Sequence, residues 1–251
     1  MKRRRKTIIA GTLVKIVEYT PPMPRDSQLI RSARHKTTTE AQKALNHRTA
    51  QGKLETKLAA NFSSQDYFIT LSYRPGEEPA NRREAAKHRA IFTRRLRSAR
   101  NRRGQQLRWI LALENKHGEG RYHYHAVINS TGTEIDREEI ISLWEYGEAH
   151  IEQLFNGQHD KGEDFNTWMQ LARYMTKERP EDGPDTTPNG AQLFSCSRNL
   201  KRPIVLTEWI EAGQRVEIPP GAVAVEKTEA STEFCTFNYY KYLTEPIKTA
   251  H

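Results

Sequence analysis

Cysteine is scarce in this chain. Cys196 and Cys235 stand alone among 251 residues; they lack the paired spacing of a zinc site, and they make no disulfide framework in a chain of this length. That usage fits a reducing compartment and leaves stability to a packed core. Long apolar runs are also missing, so no membrane association is expected. The basic start, Lys2 to Lys6, is followed by Thr7 to Val17, which Gly11 and Lys15 interrupt and which has no cleavage site, so no secretion signal is expected either. There is no internal repeat. A G-x-x-x-x-G-K-[ST] phosphate loop is absent too, which excludes an ATP-driven helicase of that type.

The chain is rich in positive charge. Forty Lys and Arg stand against 31 Asp and Glu, a formal net charge of +9, and such a surplus favours a polyanionic partner such as nucleic acid, although a merely basic soluble protein has the same signature. At 36% hydrophobic residues the chain can bury one substantial core, which predicts one catalytic domain with extensions.

Periodicity and punctuation divide the chain. Thr7 to Tyr19 reads as a strand, the cluster Pro21 to Pro24 as a break, and Thr38 to Ala60 as a helix with Ala41, Leu45, Leu54 and Leu58 aligned. Asp66 to Tyr73 is β-branched and aromatic and runs into Arg74-Pro75-Gly76, a strand entering a turn. From Asn81 to Arg103 a helix carries Ala85, Phe92, Leu96 and Ala99 on one side and a dense set of arginines, including Arg94, Arg95, Arg97 and Arg100, on the rest. Phosphate contact is the reading for these arginines, because a solvated face more often mixes charge signs.

Trp109 to Leu113 and Tyr122 to Asn129 read as two strands of a hairpin joined through Asn115 to Gly120. Asp136 to Glu145 reads as a helix capped by Asp136, with Ile135 stapled onto Ile140, and Phe165 to Glu178 as a helix capped by Asp164. Glu181 to Asn189 is loop-like, while Val205 to Ile210 and Ala222 to Tyr242 look extended.

Within the hairpin, alternation puts His123 and His125 on one face of a strand, and Glu114, at the end of the preceding strand, comes back toward them. Two imidazoles and one carboxylate can hold a divalent metal and leave coordination positions open, which suits catalysis rather than structure. Two histidines on a strand can equally be ordinary half-buried residues. On the helix 165–178 the buried stripe leaves Tyr174, Lys177 and Glu178 together at its edge. A phenol is a poor nucleophile at neutral pH unless positive charge stabilises its anion, which Lys177 and a metal would do. Gln170 and Glu178, one turn either side, are not tyrosines, so only one nucleophile is expected.

His123-Tyr124-His125 and Tyr174-Met175-Thr176-Lys177 resemble the His-hydrophobic-His motif and the Tyr-x-x-Lys helix of the HUH endonucleases. Phe68 to Tyr73 looks like that family's leading strand motif, and Glu114 stands where many members place a third ligand. Leu143-Trp144-x-x-Gly147 and Ser197-Arg198-Asn199-Leu200-Lys201-Arg202-Pro203 are similar to segments of replication initiators of plasmids, phages and prophages. The resemblance covers about residues 60 to 205.

The resemblance implies an α+β fold of HUH or RRM-like type. It has a central antiparallel sheet of about five strands, the histidines on a central strand, and packed helices. Residues 61–205 would form the endonuclease core, 1–60 a strand and helix extension, and 206–251 a mostly extended segment packing on the core. It also implies a single-tyrosine initiator of rolling-circle replication in a bacterial cytoplasm. Tyr174 would attack single-stranded DNA at a hairpin-bearing origin, with Mn²⁺ or Mg²⁺ on Glu114, His123 and His125. Arg94, Arg95, Arg97, Arg100, Arg198, Lys201 and Arg202 would contact the DNA, Glu178 is a candidate base for a terminating water, and helicase and polymerase would come from the host. A transposase or relaxase of related chemistry and a non-catalytic DNA-binding protein remain as alternatives at this point.

Overall fold

The computed structural model describes residues 2–20, 40–116, 121–155, 167–177, 192–211, 214–231 and 236–247. In chain order the elements are β1 (Arg3–Ala10), β2 (Leu13–Tyr19), α1 (Glu40–Asn61), β3 (Tyr67–Ser72), α2 (Arg82–Arg102), β4 (Trp109–Lys116), β5 (Arg121–Ile128), α3 (Ile135–Leu143), β6 (Ala149–Gln153), α4 (Trp168–Met175), β7 (Ser195–Cys196), β8 (Ile204–Ile210), β9 (Val223–Ser231) and β10 (Thr236–Leu243). They form two compact units, each with its own antiparallel five-stranded sheet. The α+β class expected from the resemblance is the one observed.

The terminal unit joins Met1–Ala60 to Lys201–Pro246, with strand order β8-β1-β2-β10-β9. The single strand expected over Thr7 to Tyr19 is instead the second half of one strand, a turn and a second strand. Ala10 pairs with Leu13 across a two-residue loop, and Gly11 supplies the positive φ of 58° that the turn requires. A Cβ at Gly11 would also overlap the carbonyl of Ala59, so the hairpin sits directly on α1. Lys15 on β2 and Lys241 on β10 are register partners, and the buried Glu55 of α1 answers both, at 2.6 Å and 3.3 Å.

The central unit is Asn61–Leu200 with Ile247–His251, and its strand order is β6-β3-β5-β4-β7. One face of the sheet is apolar. Ile69, Leu71, Leu111, Tyr124, Ala126 and Ile128 pack there with Phe92 and Leu96 of α2 and Ile140 of α3. Asn81 caps α2, its side chain accepting from the amide of Glu84 at 3.0 Å. Alternation sends Phe68, Glu114, His123 and His125 to the opposite face.

Trp144 and Gly147 show why the Leu143-Trp144-x-x-Gly147 segment has its spacing. Trp144 is 2% exposed, meets the rings of Tyr73, Phe92 and Tyr146 edge-on, and donates from its indole nitrogen to the carbonyl of Ser72 at 2.9 Å. Gly147 lies against the same backbone: a Cβ would overlap the Ser72 oxygen and come within 2.9 Å of the Arg74 nitrogen. The Gly147→Ala variant should therefore lose about 1–3 kcal/mol of stability, the range typical of overpacking. A lower thermal midpoint would register this loss.

Two expectations for this unit are corrected. Asp136 does not cap α3, whose N-cap is Glu134 without a side-chain bond; it is buried and accepts from the amide and hydroxyl of Thr131 at 2.6 and 2.7 Å. Ile135, read as a staple, is 50% exposed. Arg100, read as a DNA contact, is 0% exposed: it donates to the carbonyl and side-chain oxygen of Asn129 at 2.7 and 3.0 Å, and Asp136 stands 3.6 Å from it. A guanidinium this deep needs its counter-charge. Asp136→Ala should destabilise the protein by about 3–5 kcal/mol, because it strands Arg100 without a partner; urea unfolding followed by circular dichroism measures this, and an unchanged midpoint contradicts it.

Candidate active site

The site begins with strand register. Antiparallel pairing of β4 with β5 sets Glu114 opposite His123, and the pleat brings His125 to the same face one step further along. On the other side of β5, Thr70 and Ser72 of β3 stand opposite His125 and His123. The histidine strand is the middle one of the five, so the histidine pair is braced from both sides.

Both imidazoles converge on one carboxylate oxygen. Nε2 of His123 lies 2.8 Å and Nε2 of His125 2.6 Å from Oε2 of Glu114, and the three potential ligand atoms all fall within 4.8 Å of one another. His125 is 2% exposed, and its Nδ1 has no hydrogen-bond partner. Burial alone would raise the Glu114 carboxyl, but the hydrogen bonds and charge of His123 and His125 outweigh it and hold the group well below the usual carboxylate range. Burial lowers His125, helped by the charges of His123 and Lys177 and opposed by Glu114. An anionic oxygen and a neutral imidazole are the forms in which these groups bind a cation, and two nitrogens with one oxygen suit a first-row divalent ion.

α4 supplies the remaining chemistry. It is shorter than the expected 165–178 and starts from Thr167, whose hydroxyl accepts from the Gln170 amide at 3.2 Å; Asp164 and Glu178 lie outside the described residues, as does the loop at 181–189. Trp168, Leu171, Ala172 and Met175 are buried. That leaves Tyr174 half-buried at the edge of the stripe, its ring 4.9 Å from the His125 ring and 5.8 Å from Phe68. Nζ of Lys177 sits 3.5 Å from the centre of the Tyr174 ring. A small cleft lined by Arg82, Glu114, Thr176, Lys177 and Gln192 opens beside these groups.

The structure thus brings Glu114, His123, His125, Tyr174 and Lys177 together, and the arginines distribute differently from the expectation. Arg94 and Arg97 are exposed, but α2 covers the apolar face of the sheet, opposite the histidines. Arg95 forms an ion pair with Glu145, and Arg103 grips Glu139 through two bonds of 2.6 and 2.7 Å. Arg198 is exposed, held out by Ser197, which is buried and bonded to the Trp109 backbone, and by Asn199, which donates to the Leu107 carbonyl. Lys201 and Arg202 are exposed residues of the terminal unit.

Sequence reading missed two neighbours of the site. Phe68 stacks on His125 and meets Tyr174 edge-on, and its position two residues before Thr70 on the leading strand was the available signal. Arg82, the first residue of α2, lines the cleft and is separated from its helix companions only by position.

Fold and site define an α+β protein with a candidate divalent-metal cluster on the middle strand of an antiparallel sheet. Residues 66–179, which contain that cluster and Tyr174, match the family described as replication-associated protein ORF2, so the chain carries the domain of a replication-associated family. No curated protein and no solved structure matches the chain.

If the three side chains form one site, Glu114→Gln should weaken Mn²⁺ binding at least tenfold by removing the anionic ligand, a loss on the scale of tenfold to a hundredfold seen for altered metal shells. Affinity should also fall as pH drops and the imidazoles take up protons. Because His125 is lowered, its neutral form persists to more acidic pH than an ordinary histidine's. Titration of free Mn²⁺ by electron paramagnetic resonance reads both effects, and equal affinity in wild type and variant would dissociate Glu114 from metal binding.

Proposed function

We propose that this chain nicks and rejoins single-stranded DNA through Tyr174 to initiate rolling-circle replication. The observation that carries the reading is the Tyr174 ring beside His125, at the edge of the Glu114–His123–His125 cluster, within the segment matched to a replication-associated family.

Glu114, His123 and His125 would hold Mn²⁺ or Mg²⁺, and the ion would supply Lewis-acid polarisation of a phosphate oxygen. Tyr174 supplies the nucleophile: its phenolic oxygen forms a bond to phosphorus as the bond to the 3′ oxygen breaks. The products are a 5′-phosphotyrosine and a 3′-hydroxyl, and the phenolic proton is balanced by protonation of the leaving oxygen. Lys177, next to the ring, favours the phenolate over the phenol. His125, buried against Phe68, helps exclude water from the reacting side of the tyrosine. Because one phosphodiester is exchanged for another of similar energy, the link can be reversed without ATP, and the free 3′-hydroxyl can prime synthesis. Strand separation then falls to a host helicase and extension to a host polymerase.

The test is a denaturing gel of protein incubated with single-stranded origin DNA and Mn²⁺. A covalent adduct should form with wild type, disappear with Tyr174→Phe or a chelator, and drop by at least a hundredfold with His123→Ala, a loss on the scale expected when a metal-assisted step is disabled. An undiminished adduct in Tyr174→Phe sinks the assignment.

A further inference from the structure

Strand β1 reads Arg3-Arg4-Arg5-Lys6, and the pleat divides it into two functions. Arg3 and Arg5 point to the face that holds Glu18, which is 1% exposed and lies 3.6 Å from Arg3 and 2.8 Å from Arg5. Arg4 and Lys6 point to the other face and are exposed. On the neighbouring edge strand β8, Trp209 stands opposite Arg4 and Thr207 opposite Lys6.

Trp209 is 60% exposed, whereas the other three tryptophans, Trp109, Trp144 and Trp168, are 7%, 2% and 5% exposed. The Arg4 guanidinium lies 5.8 Å from the Trp209 ring centre. The acidic groups of this face and its rim are already engaged among the described residues: Glu226 by Lys241 at 2.7 Å and Glu211 by Lys2 at 3.8 Å. α1 contacts the same face around Lys15, toward the Gly11 turn, while Arg4 and Lys6 lie toward the strand's start.

We infer that this end of the terminal sheet is a binding platform for single-stranded DNA, with an unpaired base stacked on Trp209 and the adjoining phosphates held by Arg4 and Lys6. An exposed indole flanked by uncompensated cations on a sheet is the combination that stacking recognition of single strands requires. Duplex DNA is a poorer occupant, since its base faces are hidden in the stack. The inference shares with the proposed function the premise that single-stranded DNA is the substrate, but its residues belong to the terminal unit rather than to the candidate active site.

The experiment uses the full chain and oligo(dT) of about 30 nucleotides, followed by tryptophan fluorescence and by anisotropy at several salt concentrations. Because three of the four indoles are buried, binding should quench emission through Trp209, and Trp209→Phe should abolish the quenching while binding stays within a few-fold of wild type. Trp209→Ala should weaken binding roughly tenfold to a hundredfold, the loss expected for one stacked base. The pair Arg4→Gln and Lys6→Gln should reduce the slope of log K against log salt by about 1.4, two phosphates' worth for a single strand. Tyr174→Phe should bind and quench like wild type. Wild-type affinity in Trp209→Ala with intact circular dichroism overturns the inference, as does equal quenching by duplex of the same length. Loss of the covalent adduct alone, with Trp209-dependent binding retained, fells the nicking proposal and leaves the platform standing.

Discussion

Because neighbouring side chains in an antiparallel pair leave on opposite faces, one register between β4 and β5 decides the whole candidate site. With Glu114 opposite His123, Leu113 and Tyr124 must point the other way, into the apolar layer under α2. A slip of one residue would turn Leu111, Ala126 and Ile128 toward the polar face, and each such side chain is worth about 1.5–3 kcal/mol buried. The hydrophobic face therefore holds the polar one in place. A cluster in which two imidazoles crowd one carboxylate takes its geometry from residues that never touch it.

Positive charge is used in two ways, and burial separates them. Arg100, Arg3 and Arg5 are tied to Asp136 and Glu18 and brace their sheets, at a desolvation cost that only close partners offset. Arg95 and Arg103 reach Glu145 and Glu139 at the surface, where such pairs contribute little to stability but do remove cations from the pool open to a polyanion. Arg94, Arg97 and Arg198 keep their charge available. A net charge of +9 thus overstates the DNA-facing charge of the arginine helix and says nothing about which face of a strand carries it.

Local periodicity was legible wherever one short rule applied. Alternation picked out His123 and His125, the hairpin brought in Glu114, and the helical stripe of Leu171, Ala172 and Met175 left Tyr174 at its edge. Arg100 was misread although it sits one residue after Ala99 and four after Leu96, inside the buried stripe. Residue type pointed to solvent, while the partner that keeps it in the core, Asp136, lies in another helix. The short edge strand Ala149–Gln153 escaped because His150 and Glu152 interrupt any apolar pattern, and Ser195–Cys196 is too short to have one. Arg3 to Lys6 looked like a charged leader, since nothing local announces that a buried Glu18 awaits two of its arginines.

The terminal sheet was least legible because its pairing is least local. Arg3 pairs with Ile210 and Tyr19 with Phe237, across the full length of the central unit, whereas every strand pair of the central sheet lies within 67–196. Loop closure over such a span costs chain entropy that no short-range propensity offsets, so the contacts that close it must be strong. They are of two kinds: the layer of Val14, Ile16, Tyr240 and Tyr242, and the bonding of Glu55 to both Lys15 and Lys241, one lysine from each end of the chain. A buried carboxylate with one lysine missing would be costly, so this centre is satisfied only when both ends of the chain have arrived. The fold thereby couples the ordering of Arg4 on the first strand to that of Trp209 on the returning one.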